Sequence, residues 1–211
     1  MSARLPSSSD LLAAARVPAS MPTGEFGLWR IERVSAPPAI GWPDFVILSR
    51  VTLATLHRMR GEIVMEDSRR ELQRHLPILR QARGRVLVTG LGLGCVVRGL
   101  LASPRVDEVT VLELDRTIID LVGPEFASDP RVSIIEADAF EFDPGRKRWD
   151  YAWHDIWREG TTEALLHAEL MTRYRTHCDF QGAWGMPRLW RRIVGGDFID
   201  TRGFAREAGH G

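Results

Sequence analysis

The chain has 211 residues, enough for one domain or for one domain with a small appendage. Its 28 basic residues balance its 28 acidic residues, and 44% of all residues are hydrophobic, as in an ordinary soluble globular protein. The charge balance gives no electrostatic reason to expect nucleic acid or an anionic membrane as a partner. No apolar run approaches the ~20 residues that span a bilayer. We therefore expect a globular protein whose partners include no nucleic acid and no membrane.

Cysteine usage and the N-terminal residues predict the compartment. Cys95 and Cys178 lie far apart and outside any CxxC pattern, so no disulfide framework, zinc signature or other metal site is predicted. The apolar run "LLAAA" near the N-terminus is too short for a secretory signal. We expect both cysteines to be reduced and the protein to be cytoplasmic.

The first third of the chain divides by composition. Residues 1–25 are rich in Ser, Ala and Pro, which predicts a loose leader with a short helix at Asp10–Arg16. Over residues 26–68, short β-type runs such as "DFVILSR" and "GEIVMED" are separated by Pro and Gly turns. This pattern predicts a small N-terminal β-hairpin appendage. The run "SRRELQRHLPILRQAR" then has helical spacing, with a capping box from Ser68 to Glu71.

Strand-like and helix-like runs alternate from Arg85 onward. Strand onsets near Arg85, Glu108 and Arg131 are about 23 residues apart, which is the rhythm of βαβ units. We therefore expect an α/β fold with a Rossmann-like, doubly wound, mostly parallel sheet over residues 69–190. A strand at "QGAWGM" would leave only an Arg/Gly-rich tail, residues 191–211, so we expect a sheet truncated at its C-terminal edge or a tail that packs elsewhere.

The stretch "VLVTGLGLGCVVRGLL", Val86–Leu101, places three glycines at alternate positions between a strand-like run and a helix-like run. Each of Gly90, Gly92 and Gly94 costs backbone entropy, so something is expected to lie against the backbone there. In a doubly wound sheet, ligands bind beyond the carboxyl ends of the strands, where glycines allow close approach. A tight strand-to-helix turn that binds no ligand is the alternative explanation.

Acidic residues follow the next two strands. The second strand-like run ends in "VLELD", which places Glu113 23 residues after Gly90, where a carboxylate can accept hydrogen bonds from ribose hydroxyls. Asp115 is well placed to cap the following helix. Asp138 comes after the third strand, in position to accept a hydrogen bond from an adenine amine, and a loop acid or helix cap is the alternative role. Together these features favour a nucleoside site.

The segments "VLVTGLGLG", "VLELD", "EADAF" and "WDYAWHDIW" resemble, in order and spacing, the motifs of class I S-adenosylmethionine-dependent methyltransferases, and most closely the spermidine synthase-like branch. The resemblance covers about residues 60–157 and implies S-adenosyl-L-methionine as cofactor. It implies that the glycines line the methionine part, that Glu113 holds the ribose, and that Asp138 with Ala139 holds the adenine. The cofactor-binding residues so implied are Gly90, Leu91, Gly92, Gly94, Glu113, Leu114, Asp138 and Ala139.

The fourth strand ends in "AWHDIW", which supplies the candidate catalytic residues. By resemblance, Asp155 matches the first acid of the Asp-x-x-Asp stretch with which aminopropyltransferases bind and deprotonate an amine. The second acid is Arg158 here, and a Tyr that the family carries before the upstream helix is missing. A cation at that position would repel a polyamine, so these departures disfavour spermidine synthesis.

Methyl transfer asks less of the protein, because the methyl group of a sulfonium is already activated and the nucleophile must chiefly be oriented. Asp155 is a candidate general base or substrate anchor, and His154 is a candidate base. Side chains alternate along a strand, so the two should point to opposite sides, and we favour Asp155 for the cleft. A packed, hydrogen-bonded histidine is the alternative role for His154.

Three function classes remain at this stage. The first is a methyltransferase acting on a small molecule or a peptide, with a polyamine aminopropyltransferase as a less favoured variant. The second is a non-catalytic module that binds the nucleoside without chemistry. The third is a nicotinamide-dependent oxidoreductase, which would bind NADH better than S-adenosylhomocysteine. A homodimer would cover a truncated sheet edge.

Overall fold

The computed structural model describes residues 4–36, 42–52, 61–156, 163–186 and 195–203. Within these ranges the N-terminal part forms an antiparallel sheet whose four strands lie in the order β1-β2-β3-β4. These strands are β1 (Gly24–Phe26), β2 (Trp29–Ser35), β3 (Asp44–Arg50) and β4 (Glu62–Glu66). The predicted β-hairpin appendage is thus a four-stranded sheet, in which β2 and β3 pair over seven residues each.

A second sheet carries the βαβ units. Among the described residues it has six strands in the order β10-β9-β8-β5-β6-β7. All neighbouring strands are parallel except β10, which runs antiparallel to β9. The strands are β5 (Gly84–Thr89), β6 (Val106–Glu113), β7 (Val132–Glu136), β8 (Trp149–His154), β9 (Cys178–Ala183) and β10 (Ile199–Asp200). The predicted α/β, Rossmann-like, mostly parallel sheet is confirmed.

Helices precede and connect these strands. The helices are α1 (Ser8–Ala14), α2 (Arg69–Arg74), α3 (Leu76–Gln81), α4 (Cys95–Leu101), α5 (Arg116–Val122) and α6 (Glu163–Arg173). Of these, α4, α5 and α6 connect β5 to β6, β6 to β7 and β8 to β9. The central strand β5 carries the apolar run Val86–Val88, which is fully buried because the sheet is covered on both faces. Val86 and Val88 pack into one core cluster and Leu87 into the other, as the two-residue period of a strand requires.

Helix α1 corrects the expectation of a loose leader. It begins at Ser8, two residues earlier than predicted, because Ser7 and Asp10 form a reciprocal capping box. Leu11 and Leu12 are 2% and 5% exposed and belong to the main core. Full burial of such a side chain contributes about 1.5–3 kcal/mol. The run "LLAAA" therefore supplies core residues through Leu11, Leu12 and Ala15, within a segment rich in Ser, Ala and Pro.

The predicted helical run after Ser68 divides at His75 into α2 and α3. Pro77 lies in the first turn of α3, where a missing backbone donor costs nothing. Ser68 caps α2 by accepting a hydrogen bond from the Glu71 N–H at 3.3 Å. The Glu71 carboxylate instead accepts a hydrogen bond from the Trp184 indole, so half of the predicted capping box forms.

The C-terminal edge differs from the predicted truncation in one respect. β9 contains "QGA" of the predicted strand, and β10 then pairs with it through Ile199 and Asp200. This short antiparallel strand pairs with Phe180 and Gln181 and so covers part of the edge of β9. The domain boundaries near residues 25, 68 and 190 remain predictions, and much of the 191–211 tail lies outside the described residues.

Candidate functional site

The glycine turn between β5 and α4 has a positive φ at all three glycines: +93° at Gly90, +50° at Gly92 and +76° at Gly94. L-residues rarely adopt this conformation. A Cβ at Gly90 would lie 2.2 Å from the backbone oxygen of Asp155, and one at Gly94 would lie 2.9 Å from the Phe126 ring. The fold itself therefore requires these glycines, and they do not by themselves indicate a ligand.

Gly92 differs from its neighbours because the atom nearest to it belongs to a flexible side chain. A Cβ at Gly92 would lie 2.6 Å from Met65 Sδ. Met65, on β4, also accepts a hydrogen bond from the Leu93 N–H at 3.2 Å. The thioether thus packs against the glycine turn at the cavity, and a residue of the N-terminal sheet reaches the carboxyl ends of the parallel strands.

Glu113 lies at the carboxyl end of β6, where the backbone fixes both of its carboxylate oxygens. Oε2 accepts a hydrogen bond from the Leu91 N–H and Oε1 accepts one from the Asp115 N–H, each at 2.8 Å. Burial raises the pKa of Glu113, and these N–H groups oppose that rise. Each oxygen keeps acceptor capacity, so the carboxylate presents two fixed acceptors to a ligand.

A cavity of about 470 Å³ opens over these strand ends. Seven predicted site residues line it: Gly90, Gly92, Glu113, Leu114, Asp138, Ala139 and Asp155. Leu91 and Gly94 are outside its lining, although the Leu91 N–H holds Glu113 in place. The volume lies within the ~300–1,000 Å³ range of small-molecule sites. The structure therefore brings most of the predicted site residues around one cavity.

The N-terminal sheet supplies a wall of this cavity that the sequence did not predict. Trp29, Leu48, Arg50, Val64 and Met65 all contribute to the lining. The Trp29 indole N–H donates to Asp115 Oδ2 at 2.8 Å, and the Arg50 guanidinium lies over the Trp29 ring, 5.0 Å from its centroid. The only local signal was that Trp29 begins a β-type run and Arg50 ends one, which does not distinguish them from other strand residues.

Asp115 and Asp138 both hold nearby backbone N–H groups. Asp115 Oδ1 accepts a hydrogen bond from the Thr117 N–H at 2.9 Å, which is the predicted cap of α5. Asp138 Oδ1 accepts one from the Phe140 N–H at 2.8 Å. The loop-acid alternative for Asp138 is therefore present in the structure, and its adenine-binding role stays a prediction. The Tyr174 hydroxyl donates to the Ala139 carbonyl at 2.8 Å and so holds the loop that carries Asp138.

Asp155 follows β8 and faces the cavity. Its backbone N–H donates to the Thr89 carbonyl at 2.9 Å, which holds it beside the glycine turn. Burial, with a smaller contribution from the negative charge of Glu71, raises the pKa of Asp155 to about 7. A carboxyl group with that pKa can accept a proton near neutral pH, as a general base must.

His154 points to the opposite side of the sheet from Asp155, which corrects its candidacy as a base. Its ring is fully buried, with Nδ1 3.2 Å from Thr89 Oγ1 and Nε2 3.0 Å from Gln181 Oε1. Burial lowers the pKa of His154 to about 4. Strand alternation explains the outcome: a cavity-facing residue at 155 leaves its neighbour in the core. The packed-histidine alternative is the one that the structure supports.

Comparison with known proteins shows short matches in sequence and a longer match in fold. No family model matches the chain. Polyamine aminopropyltransferase 2 of Ralstonia nicotianae is 39% identical over 88 residues, covering 35% of this chain and 17% of that protein. Ribosomal RNA small subunit methyltransferase A of Parasynechococcus marenigrum is 41% identical over 61 residues, covering 29% of this chain and 20% of that protein. The chain thus spans a fifth or less of these two curated relatives.

The crystal structure of spermidine synthase from Thermotoga maritima matches with a TM-score of 0.51 and 18% identity. The match covers 77% of this chain and 56% of that chain. Over the matched residues, the chain therefore has the fold of that spermidine synthase. The fold that the motif resemblance predicted is therefore confirmed.

Two further observations concern the described residues only. Across the described ranges, no helix combines the length and apolarity that a membrane crossing needs. In the same part of the chain, no group of three or more His, Cys, Asp or Glu side chains is arranged to hold a metal ion. Arg158, which disfavoured polyamine binding in the sequence, lies outside the described residues.

Proposed function

We propose that the protein is an S-adenosyl-L-methionine-dependent methyltransferase of spermidine synthase-like type. The observation that carries this proposal is the Glu113 carboxylate, which two backbone N–H groups hold at 2.8 Å in the wall of the cavity. A rigid carboxylate at the end of the second parallel strand is suited to bind two adjacent hydroxyls of a ribose. The adjoining loop of Asp138 and Ala139 would hold the adenine.

Asp155 supplies the acid–base chemistry in this proposal. The nucleophile of the acceptor forms a bond to the cofactor methyl carbon while the carbon–sulfur bond breaks, and S-adenosylhomocysteine leaves with the bonding electrons on sulfur. A nucleophile that starts protonated loses its proton to Asp155, whose raised pKa of about 7 suits that task near neutral pH. The cavity residues would also orient the nucleophile in line with the carbon–sulfur bond.

The acceptor we propose is a small molecule or a peptide side chain. The support is the cavity itself, which the Trp29 and Arg50 wall encloses opposite the parallel strands. The short match to a ribosomal RNA methyltransferase makes nucleic acid an alternative acceptor. Methylation assays should therefore include RNA beside small molecules and peptides. A homodimer and a cytoplasmic location remain predictions.

A second candidate, aminopropyl transfer, is favoured by the 39% identity to a polyamine aminopropyltransferase over 88 residues. The two reactions differ in the group that leaves the sulfonium. Methyl transfer releases S-adenosylhomocysteine, whereas aminopropyl transfer from decarboxylated S-adenosylmethionine releases methylthioadenosine. The preferred nucleoside therefore reports which reaction the site serves.

The test is calorimetric titration of the purified protein with S-adenosylhomocysteine, methylthioadenosine and NADH. We expect S-adenosylhomocysteine to bind most tightly. Preference for methylthioadenosine would favour aminopropyl transfer, and preference for NADH would favour an oxidoreductase. Binding of none of the three would overturn the proposal. A non-catalytic module would bind S-adenosylhomocysteine, give no turnover with any acceptor, and lose no more than affinity when Asp155 becomes Asn.

A further inference from the structure

His75 is a buried histidine between α2 and α3 with only one of its ring nitrogens hydrogen-bonded in the described structure. The residue is 1% exposed, and its Nδ1 lies 3.3 Å from the indole Nε1 of Trp153. Its Nε2 is buried and has no hydrogen-bond partner among the described residues. That atom lies 3.9 Å from Oδ2 of Asp155.

The Trp153 contact determines where the proton of His75 resides. An indole N–H donates a hydrogen bond and cannot accept one, so Nδ1 must be the acceptor. A neutral ring then carries its proton on Nε2, which is the nitrogen nearest Asp155. Burial keeps the ring neutral by lowering the pKa of His75 to about 3, and the positive charge of Arg74 acts in the same direction. His75 thus presents an N–H toward the carboxylate.

We propose that His75 is a positioning residue that directs its Nε2–H at the Asp155 carboxylate, in a chain that runs from Trp153 through His75 to Asp155. This inference rests on the proposed function, in which Asp155 is the proton acceptor. The 3.9 Å separation is longer than a hydrogen bond. At this distance the ring N–H dipole already acts on the carboxylate without a substrate, and about 1 Å of movement would bring the two atoms within hydrogen-bond distance.

This series of hydrogen-bonding groups would affect both the orientation of the Asp155 carboxylate and its ionisation. A donor on one carboxylate oxygen leaves the other oxygen to face the acceptor, and it stabilises the ionised form that can take up a proton. The nearby negative charge of Glu71 opposes ionisation of Asp155. Glu71 is itself engaged by Arg74 at 3.3 Å and by the Trp184 indole. His75, between α2 and α3, is placed to counter the effect of Glu71 on Asp155.

The first experiment uses the unmodified protein without cofactor or acceptor. Long-range ¹H–¹⁵N spectra distinguish the two neutral tautomers of each of the six histidines, and His75→Gln assigns the signal of interest. We expect a neutral His75 with its proton on Nε2 from about pH 5 to 9, and an Nε2 shift that titrates together with Asp155. A proton on Nδ1, or an Nε2 shift that stays constant through the titration of Asp155, would overturn the proposal.

The second experiment compares two variants by following the Asp155 carboxyl ¹³C signal against pH. His75→Leu removes the donor, and we expect the midpoint for Asp155 to rise by about 1 pH unit. His75→Gln keeps an N–H donor and an oxygen that can accept from Trp153, so it should restore the midpoint. Equal midpoints in the wild type and a folded His75→Leu protein would refute the role of His75. None of these NMR measurements requires a bound nucleoside. A negative result for His75 can therefore be distinguished from a negative result in the calorimetric titrations that test the proposed function.

Discussion

The Trp29 indole N–H donates to Asp115 Oδ2 at 2.8 Å, across 86 residues of sequence. This hydrogen bond joins the N-terminal antiparallel sheet to the strand end that bears Glu113. Asp115 also caps α5 with its other carboxylate oxygen. One aspartate therefore fixes the start of a helix and the position of the cavity wall, so the two sheets build the site together.

The first prediction concerns this contact. Trp29→Phe keeps an aromatic ring under Arg50 but removes the indole donor, which leaves one oxygen of Asp115 without its partner. We expect the affinity for S-adenosylhomocysteine to fall about 3- to 10-fold, which corresponds to about 1 kcal/mol for one hydrogen bond to a charged group on a partly exposed wall. Isothermal titration calorimetry measures the change.

Trp42→Phe is the matched control for Trp29→Phe. Trp42 lies under the Arg16 guanidinium, 4.6 Å from ring centroid to Cζ, and is not part of the cavity lining. Its substitution should leave the affinity unchanged. If both variants bind as the wild type does, the N-terminal sheet does not contribute to the site.

The second prediction concerns Glu113. Glu113→Ala removes the acceptor that two backbone N–H groups hold toward the cavity. We expect S-adenosylhomocysteine binding to weaken by about 1.5–3 kcal/mol, or roughly 10- to 150-fold, as for loss of a charge-assisted pair of hydrogen bonds. Unfolding in urea should show a separate loss of stability, because the Leu91 and Asp115 N–H groups lose their acceptor.

Glu136→Ala controls for the loss of a carboxylate at a strand end. Glu136 pairs in register with Glu113 on the neighbouring strand, but its side chain is 51% exposed, bonds Arg116 and does not line the cavity. It should bind the nucleoside as the wild type does. Equal affinities for the Glu113 and Glu136 variants would exclude Glu113 as a ribose ligand.

The third prediction separates two glycines that look equivalent in sequence. A Cβ at Gly90 meets the backbone oxygen of Asp155 at 2.2 Å, whereas a Cβ at Gly92 meets the thioether of Met65 at 2.6 Å. Both positions impose the cost of a positive φ, about 1–2 kcal/mol. Backbone cannot yield as a side-chain end can, so Gly90→Ala should lower the free energy of unfolding much more than Gly92→Ala.

A double-mutant cycle with Met65→Ala tests the reason for that difference. Met65→Ala removes the atom that a Cβ at Gly92 would meet, so the two substitutions should couple favourably when combined. Met65→Ala should not rescue Gly90→Ala. Additive losses at Gly92 and Met65 would mean that the conformational cost alone governs the substitution at Gly92.

Sequence reasoning located the parts of the site that local patterns encode. Parallel strands buried on both faces are nearly continuous apolar runs, so β5 and β6 and the acids that follow them were recognisable. Alternation along β8 correctly favoured Asp155 over His154 for the cavity. The end of a strand and the alternation of its side chains can both be read from the local sequence. These two features were enough to predict that Glu113 and Asp155 lie at the site.

The missing parts depend on contacts between distant segments. No local pattern encodes the Trp29–Asp115 hydrogen bond or the packing of Met65 on the glycine turn. The helix α1 was predicted, but its burial in the core was not, because Ser, Ala and Pro dominate its surroundings and its apolar residues are few. The glycines were expected to make room for a ligand, yet Asp155 and Phe126 already occupy the space beside Gly90 and Gly94.

The last prediction concerns stability against pH at Asp155, whose pKa is about 7 in the folded protein against a reference value of 3.8. Between these values the folded state binds more protons at this group than the unfolded state does. The free energy of unfolding contributed by Asp155 therefore falls as pH rises from about 4 to about 7. Asp155→Asn removes this loss, because an amide carries no charge to bury.

We accordingly expect Asp155→Asn to match the wild type in stability near pH 4 and to exceed it near pH 8, by about 2–4 kcal/mol at most. The comparison isolates Asp155 from Glu113 and Glu71, whose pKa values burial also raises, because both proteins keep those groups. Urea unfolding at the two pH values measures the difference. The same variant should lose methyl transfer to a protonated nucleophile while retaining S-adenosylhomocysteine binding. Gains that are equal at both pH values would show that Asp155 is not a carboxylate destabilised by burial, and the proposed base would lose its physical support.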